Sequence, residues 1–208
     1  MFAGIESQLY SLVLISVTIL ALLNPFGNLP QFISMTDGLD TPLRQSLFRN
    51  ILYVAFVIVI LFLLTGPFIM KYLFKIDLNH LRIAGGLILA LVSVKGLLFT
   101  THRHQTHKEN NLSKSELLNQ SVIPMAFPML VGPGTLSTVI ILSEEHGNIL
   151  TILAVILAFI TMLVIFHFAA SIERVLGKLA LHVFSRIAVV FIMAVGVKMI
   201  IIGLKAIF

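Results

Sequence analysis

Six long apolar runs restrict the fold open to this 208-residue chain more than any other feature. A lipid interior offers no water to pair with backbone N–H and C=O groups. A run of about 20 apolar residues therefore crosses it as a helix that satisfies its own backbone. The runs cover roughly residues 8–36, 50–70, 83–99, 121–143, 149–170 and 187–204. They predict an all-α polytopic membrane protein, a single membrane domain over 1–208 with the lipid bilayer as its partner. The composition agrees. With 58% hydrophobic and 11% charged residues, against about 45–50% and about 25% in soluble domains, the chain has too little polar surface to cover a water-facing globule.

The charges serve topology. The net charge is +5, but the basic residues stand singly between apolar runs, which argues against a nucleic-acid partner. Arg44 and Arg49 follow the first run, Arg103, Lys108 and Lys114 the third, and Arg174, Lys178 and Arg186 the fifth. Only Lys71, Lys75, Arg82 and Lys205 fall on the other side. The richer side is predicted to be cytoplasmic, which places both termini outside the cytoplasm. Glu6 is the only charge before Asp37, so the first run reads as structure and not as a cleavable signal. The chain has no Cys, which removes disulfides, thiolate catalysis and thiolate metal sites.

Two of the runs contain helix breakers. Asn24-Pro25-Phe26-Gly27-Asn28-Leu29-Pro30 interrupts the first, and Pro124, Pro128 and Gly132-Pro133-Gly134 the fourth. Proline lacks a backbone donor and clashes with the preceding turn, and glycine leaves the backbone unshielded. Isolated prolines in membrane helices are often mere kinks, but here clustered breakers occupy matching places in the two halves. Arg82-Ile83-Ala84 opens the third run, and Arg186-Ile187-Ala188, 104 residues later, opens the sixth. This divides the chain into a first repeat over about 1–100, a linker over about 101–120 and a second repeat over about 121–208. Each half has three runs, so the second enters from the opposite face, as in the inverted repeats of many secondary transporters. The expected fold is six transmembrane helices in two inverted three-helix repeats, with the first and fourth helices discontinuous.

Breaks of this kind persist only where protein or a polar cavity covers them. Half-helix N-termini favour a carboxylate, and freed carbonyls favour an ammonium group. Asn24, Asn28, Thr135, Ser137 and Thr138 add neutral donors and acceptors. Such a site suits a zwitterion, and the expected substrate-binding residues are Asn24, Pro25, Gly27, Asn28, Gly132, Pro133, Gly134, Thr135, Ser137 and Thr138.

Other features give weaker signals. Lys95 and Lys198 lie in apolar runs but near their ends, where snorkelling to the interface explains them. His102, His104 and His107 cluster in the linker without a nearby carboxylate or Cys and read as solvated. His167 reads as packed or interfacial, and Glu144-Glu145-His146 as a hydrophilic turn. No metal site or cofactor is expected. No run carries an acid near its middle, so a carboxylate proton relay is not evident, and a coupling ion, H+ or Na+, stays open.

At the two interrupted segments the sequence resembles a known family. Asn24-Pro25-Phe26-Gly27-Asn28-Leu29-Pro30-Gln31-Phe32 and Pro128-Met129-Leu130-Val131-Gly132-Pro133-Gly134-Thr135-Leu136-Ser137-Thr138-Val139-Ile140 are similar to motifs of the MarC family, also called the small neutral amino acid transporter (SnatA-like) family or the UPF0056 inner membrane proteins. Arg82-Ile83-Ala84-Gly85-Gly86 with Lys95 resembles the family's third span. The likeness runs through the whole chain. Span six departs from it: Arg186-Ile187-Ala188-Val189-Val190 lacks the usual Gly, and Lys198 stands where Gln is common. The resemblance implies uptake of glycine, alanine and similar small amino acids by a multi-pass protein of the cell inner membrane, with the substrate held between unwound parts of the first and fourth helices. Export of amino acids or other small metabolites, and a non-transporting scaffold or sensor, are the alternatives. An intramembrane enzyme is not expected, because the runs hold no nucleophile–base pair.

Overall fold

The computed structural model of the protein describes residues 2–36, 39–98 and 125–208. The linker histidines His102, His104 and His107, the basic residues Arg103, Lys108 and Lys114, and the first residues of the fourth run, with Pro124, lie outside them. The described residues form helices: α1 (Phe2–Leu23), α2 (Pro25–Met35), α3 (Thr41–Phe68), α4 (Leu78–Leu98), α5 (Pro133–His146), α6 (Asn148–His167) and α7 (Ala169–Ile207). Two π-helical stretches accompany them, Ile69–Phe74 after α3 and Met125–Leu130 before α5.

Five segments are long and apolar enough to cross a membrane among the described residues: Glu6–Leu29, Pro42–Phe74, Leu78–Leu98, Asn148–His167 and Leu179–Ile207. The fourth run is the exception. Its described part is the π-helical Met125–Leu130, a gap, and α5, whose 14 residues span only about 21 Å at about 1.5 Å per residue. The helical part lies inside the protein: Gly134 through Ile141 are all buried. The interruption before it is half-buried at Gly132 and exposed at Phe127, Pro128 and Pro133.

Packing follows the order in which these segments meet. One large apolar core joins α1, α2, α3, α5 and α6. Phe32 of α2, Phe48 of α3 and Phe166 of α6 form an aromatic trio within it, with centroids 5.1–6.2 Å apart, a favourable edge-and-offset spacing. Helix α4 packs on α5 and most extensively on α7. That last contact depends on small residues. A Cβ at Gly86 would fall 2.5 Å from the Gly196 carbonyl oxygen, and a Cβ at Gly196 would fall 2.8 Å from that of Gly86. Without side chains the two backbones approach closely, the usual basis of helix association in lipid.

Helices α4 and α7 run antiparallel. Gly203, near the end of α7, sits over Asn79 at the start of α4. Arg186 donates through Nη1 to the carbonyls of Gly96 (2.6 Å) and Leu97 (2.7 Å) at the other end of α4. Arg82, at the first end, forms an ion pair with Glu145 of α5 and donates to Asn79 Oδ1. The two arginines of the repeated Arg-Ile-Ala motif thus sit at opposite ends of the pair, Arg186 tying α7 to α4 and Arg82 tying α4 to α5.

Two local expectations are corrected. Glu144, Glu145 and His146 are the last turn of α5, not a hydrophilic turn; the chain reverses at Gly147 (φ 87°), a conformation glycine adopts without steric cost. The segment after the fifth run is helical, not a loop, with Arg174 and Arg186 both within α7; its bend is confined to Gly177 (φ 74°). Of the two readings of His167, packed or interfacial, its exposure at the end of α6 fits the second, with its ring edge-on to Phe168 at 4.9 Å.

Candidate functional site

The break in the first run is a single residue, Asn24. It takes the left-handed conformation (φ 45°, ψ 65°), which asparagine tolerates better than most residues. Pro25 then starts α2, where its missing N–H costs nothing. Asn24 Oδ1 accepts from the Gly27 N–H at 3.0 Å and caps the new helix. Asn28 Nδ2 donates to the Leu23 carbonyl at 2.8 Å, satisfying an acceptor at the end of α1. The two asparagines thus splice the break they create. This leaves Asn24 Nδ2 and Asn28 Oδ1 without hydrogen-bond partners among the described residues. Gly27 is part of the splice too, since a Cβ there would fall 2.3 Å from Asn24 Nδ2.

The second break is open. Extended backbone at Phe127 (φ −142°, ψ 129°) interrupts the Met125–Leu130 stretch itself; extended backbone at Gly132 (φ −89°, ψ 169°) then precedes α5, which Pro133 starts. No side chain caps the α5 N-terminus, so its first amides face the gap uncapped. The hydroxyls of Ser137 and Thr138 turn back onto their own helix, to Pro133 O (2.9 Å) and Gly134 O (2.8 Å). Thr138 Oγ1 also lies 3.6 Å from Met199 Sδ of α7. Thr135 is buried, and its hydroxyl has no hydrogen-bond partner among the described residues.

The packing pairs the four half-helices crosswise. Helix α2, which leaves the first break, touches Met125–Leu130, which enters the second; α1, which enters the first, touches α5, which leaves the second. Leu23, Leu29, Leu130, Val131 and Leu136 share one core.

The glycines divide by role. Among the described residues a Cβ at Gly132 would meet only Pro128 O, at 3.5 Å, so they leave room beside it. A Cβ at Gly134 would strike Leu89 of α4 at 2.4 Å; this glycine is where α5 and α4 pack. Sequence reasoning passed over the α4 side of the site. Leu89 packs against Gly134 and Gly196, and Ser93 is buried with an unpartnered hydroxyl. The small-residue spacing Gly85-Gly86…Ser93…Gly96 was the available signal. Lys95 and Lys198 are both exposed on the outside of the bundle, where a long side chain can reach the interface. Two concavities, one between α3 and α6 and one along the outer face of α7, touch neither break.

A helical bundle with several apolar spans around a short buried helix is an integral membrane protein of the multi-pass class. The chain belongs to the MarC family: the model of the MarC family integral membrane proteins matches residues 9–208. It is 33% identical to the UPF0056 membrane protein YvbG of Bacillus subtilis, over 92% of this chain and 93% of that protein. It is 30% identical to a UPF0056 membrane protein of Archaeoglobus fulgidus, over 90% and 89% of the two chains. No solved structure matches it.

Proposed function

We propose that this protein is a secondary transporter of small neutral amino acids, of the glycine and alanine type, in the cell inner membrane. The crosswise meeting of two helix breaks, at Asn24 and at Gly132, carries this reading. The substrate carboxylate is assigned to the uncapped N-terminus of α5, where aligned amides stabilise an anion. The ammonium group is assigned to Asn28 Oδ1, Thr135 and backbone carbonyls, and the Asn24 Nδ2 donor, left free by its cap, to the carboxylate. The proposed six-span arrangement counts the fourth run as a span. The antiparallel α4–α7 pair, with an arginine at each end, supports two inverted repeats. Proton or sodium coupling is compatible with this site, and uptake driven by each gradient alone separates them.

Binding is the direct test. Purified protein should gain thermal stability from glycine and alanine and not from leucine or glutamate. A ligand at 100 times its Kd stabilises the folded state by about 2.7 kcal/mol. Equal response to every amino acid, or none, removes the proposal. Topology offers a second test, since both termini are placed outside the cytoplasm. A reporter fused after Phe208 should be active only in the external compartment, and cytoplasmic activity would reverse the bundle.

A further inference from the structure

A cleft of about 530 Å³ lies between the start of α3 and the end of α6, away from both breaks. Its volume is in the ordinary range for a small-molecule site, about 300–1,000 Å³. Its depth in the membrane follows from α6, whose 20 residues extend about 30 Å, the thickness of the hydrocarbon layer. His167 and Phe168, at the end of α6, therefore sit where acyl chains meet headgroups. Pro42, Gln45 and Arg49 reach the same level from the first turns of α3.

The lining separates by chemistry. Gln45, Arg49 and His167 provide exposed polar groups at the headgroup side. Phe48 and Phe166, two of the aromatic trio, form a buried floor with Leu52. One turn deeper along α6, Leu163 and Val164 are 42% and 52% exposed and open the cleft towards lipid. Arg49 has no hydrogen-bond or ion-pair partner among the described residues. The neighbouring Arg44 is already committed, through Nη2, to Thr36 O at 3.1 Å. Asp40, the acid closest along the chain, is not part of the lining.

We infer that this cleft binds an anionic glycerophospholipid, with its phosphate at Arg49 and His167 and its acyl chains over Leu163 and Val164. Guanidinium groups match phosphate oxygens in geometry as well as charge, and basic pockets between helices at the interface are suited to lipid headgroups. The rigid aromatic floor keeps the cleft formed, so little ordering is needed on binding. The inference rests on membrane insertion alone and is independent of the transported solute.

The test uses delipidated full-length protein in a neutral detergent, with added dioleoyl phosphatidylglycerol, dioleoyl phosphatidylcholine or inorganic phosphate. Thermal midpoint and lipid adducts in native mass spectra are the readouts. Phosphatidylglycerol should stabilise and remain bound. Its apparent affinity should fall at least fivefold in Arg49→Gln and in Val164→Trp, which fills the mouth, less in Arg49→Lys, which keeps the charge but not the fork, and not in Lys71→Gln in the π-helical stretch after α3. Equal stabilisation by phosphatidylcholine would show mere annular lipid and overturn the site. So would equal stabilisation by phosphate alone, or an unchanged affinity in both Arg49→Gln and Val164→Trp.

Discussion

Gly86→Ala is expected to lower the stability of the detergent-solubilised protein by about 1–3 kcal/mol, the usual range for over-packing a tight contact. The added Cβ would fall 2.5 Å from the Gly196 carbonyl and 2.8 Å from Ile200 Cγ1. The first of these atoms is backbone, so no rotamer change can relieve the clash and the two helices must separate. Gly86→Leu should prevent the α4–α7 pair from forming. Gly96→Ala is the matched control on the same helix. Its Cβ would meet Val189 Cγ1 at 3.6 Å, an ordinary contact, and the change should be neutral or slightly stabilising because Ala favours the helix. Thermal unfolding of both variants, checked for monodispersity, decides the matter. Equal midpoints for the two alanine variants would mean that the helices are not in contact at Gly86.

Gly132→Val should leave the bundle folded and reduce glycine binding at least tenfold, about 1.4 kcal/mol. Its extended backbone accepts a β-branched residue, and the only nearby atom among the described residues is Pro128 O at 3.5 Å. The valine would occupy the space beside the uncapped α5 terminus. Gly134→Val behaves differently. It drives a side chain into Leu89 and should lose stability before it loses affinity. For the other break, Asn24→Leu is a poor probe, because leucine in the left-handed region costs about 1–2 kcal/mol by itself. Asn24→Gly retains the backbone and removes only the side chain. Loss of the cap to glycine costs a few tenths of a kcal/mol, whereas an unpaired polar group on the ligand costs about 1–3 kcal/mol, roughly a 5- to 150-fold loss in affinity. Binding of labelled glycine to folded variants measures both. Wild-type affinity in Gly132→Val and Asn24→Gly together would place the site elsewhere.

The Arg82–Glu145 pair shows how a correct local reading can miss a partner. Arg82 was legible as the first residue of a repeated motif, and Glu145 as a polar residue near a chain reversal. Their ion pair joins α4 to α5, 63 residues apart in sequence, and no periodicity encodes a contact of that range. The same holds for Gly134. Sequence marked it as a breaker beside Gly132, because both lack a side chain. Only packing distinguishes the glycine that abuts Leu89 from the glycine with open space beside it.

What the sequence determined by itself was local. Apolar runs of spanning length set the helical class, since lipid leaves the backbone no other partner. Asn24-Pro25 and Gly132-Pro133 fixed where helices stop, because proline's missing donor and fixed φ act on the adjacent turn. Tertiary structure decided how those stops are satisfied: Asn28 closes the first break on Leu23, and the second stays uncapped. It also decided that α5 is buried, that α4 meets α7 at paired glycines, and that α3 and α6 leave a cleft at the membrane interface. These outcomes depend on which surfaces fit at close range. Side-chain volume and backbone approach determine that fit only once distant segments share a core.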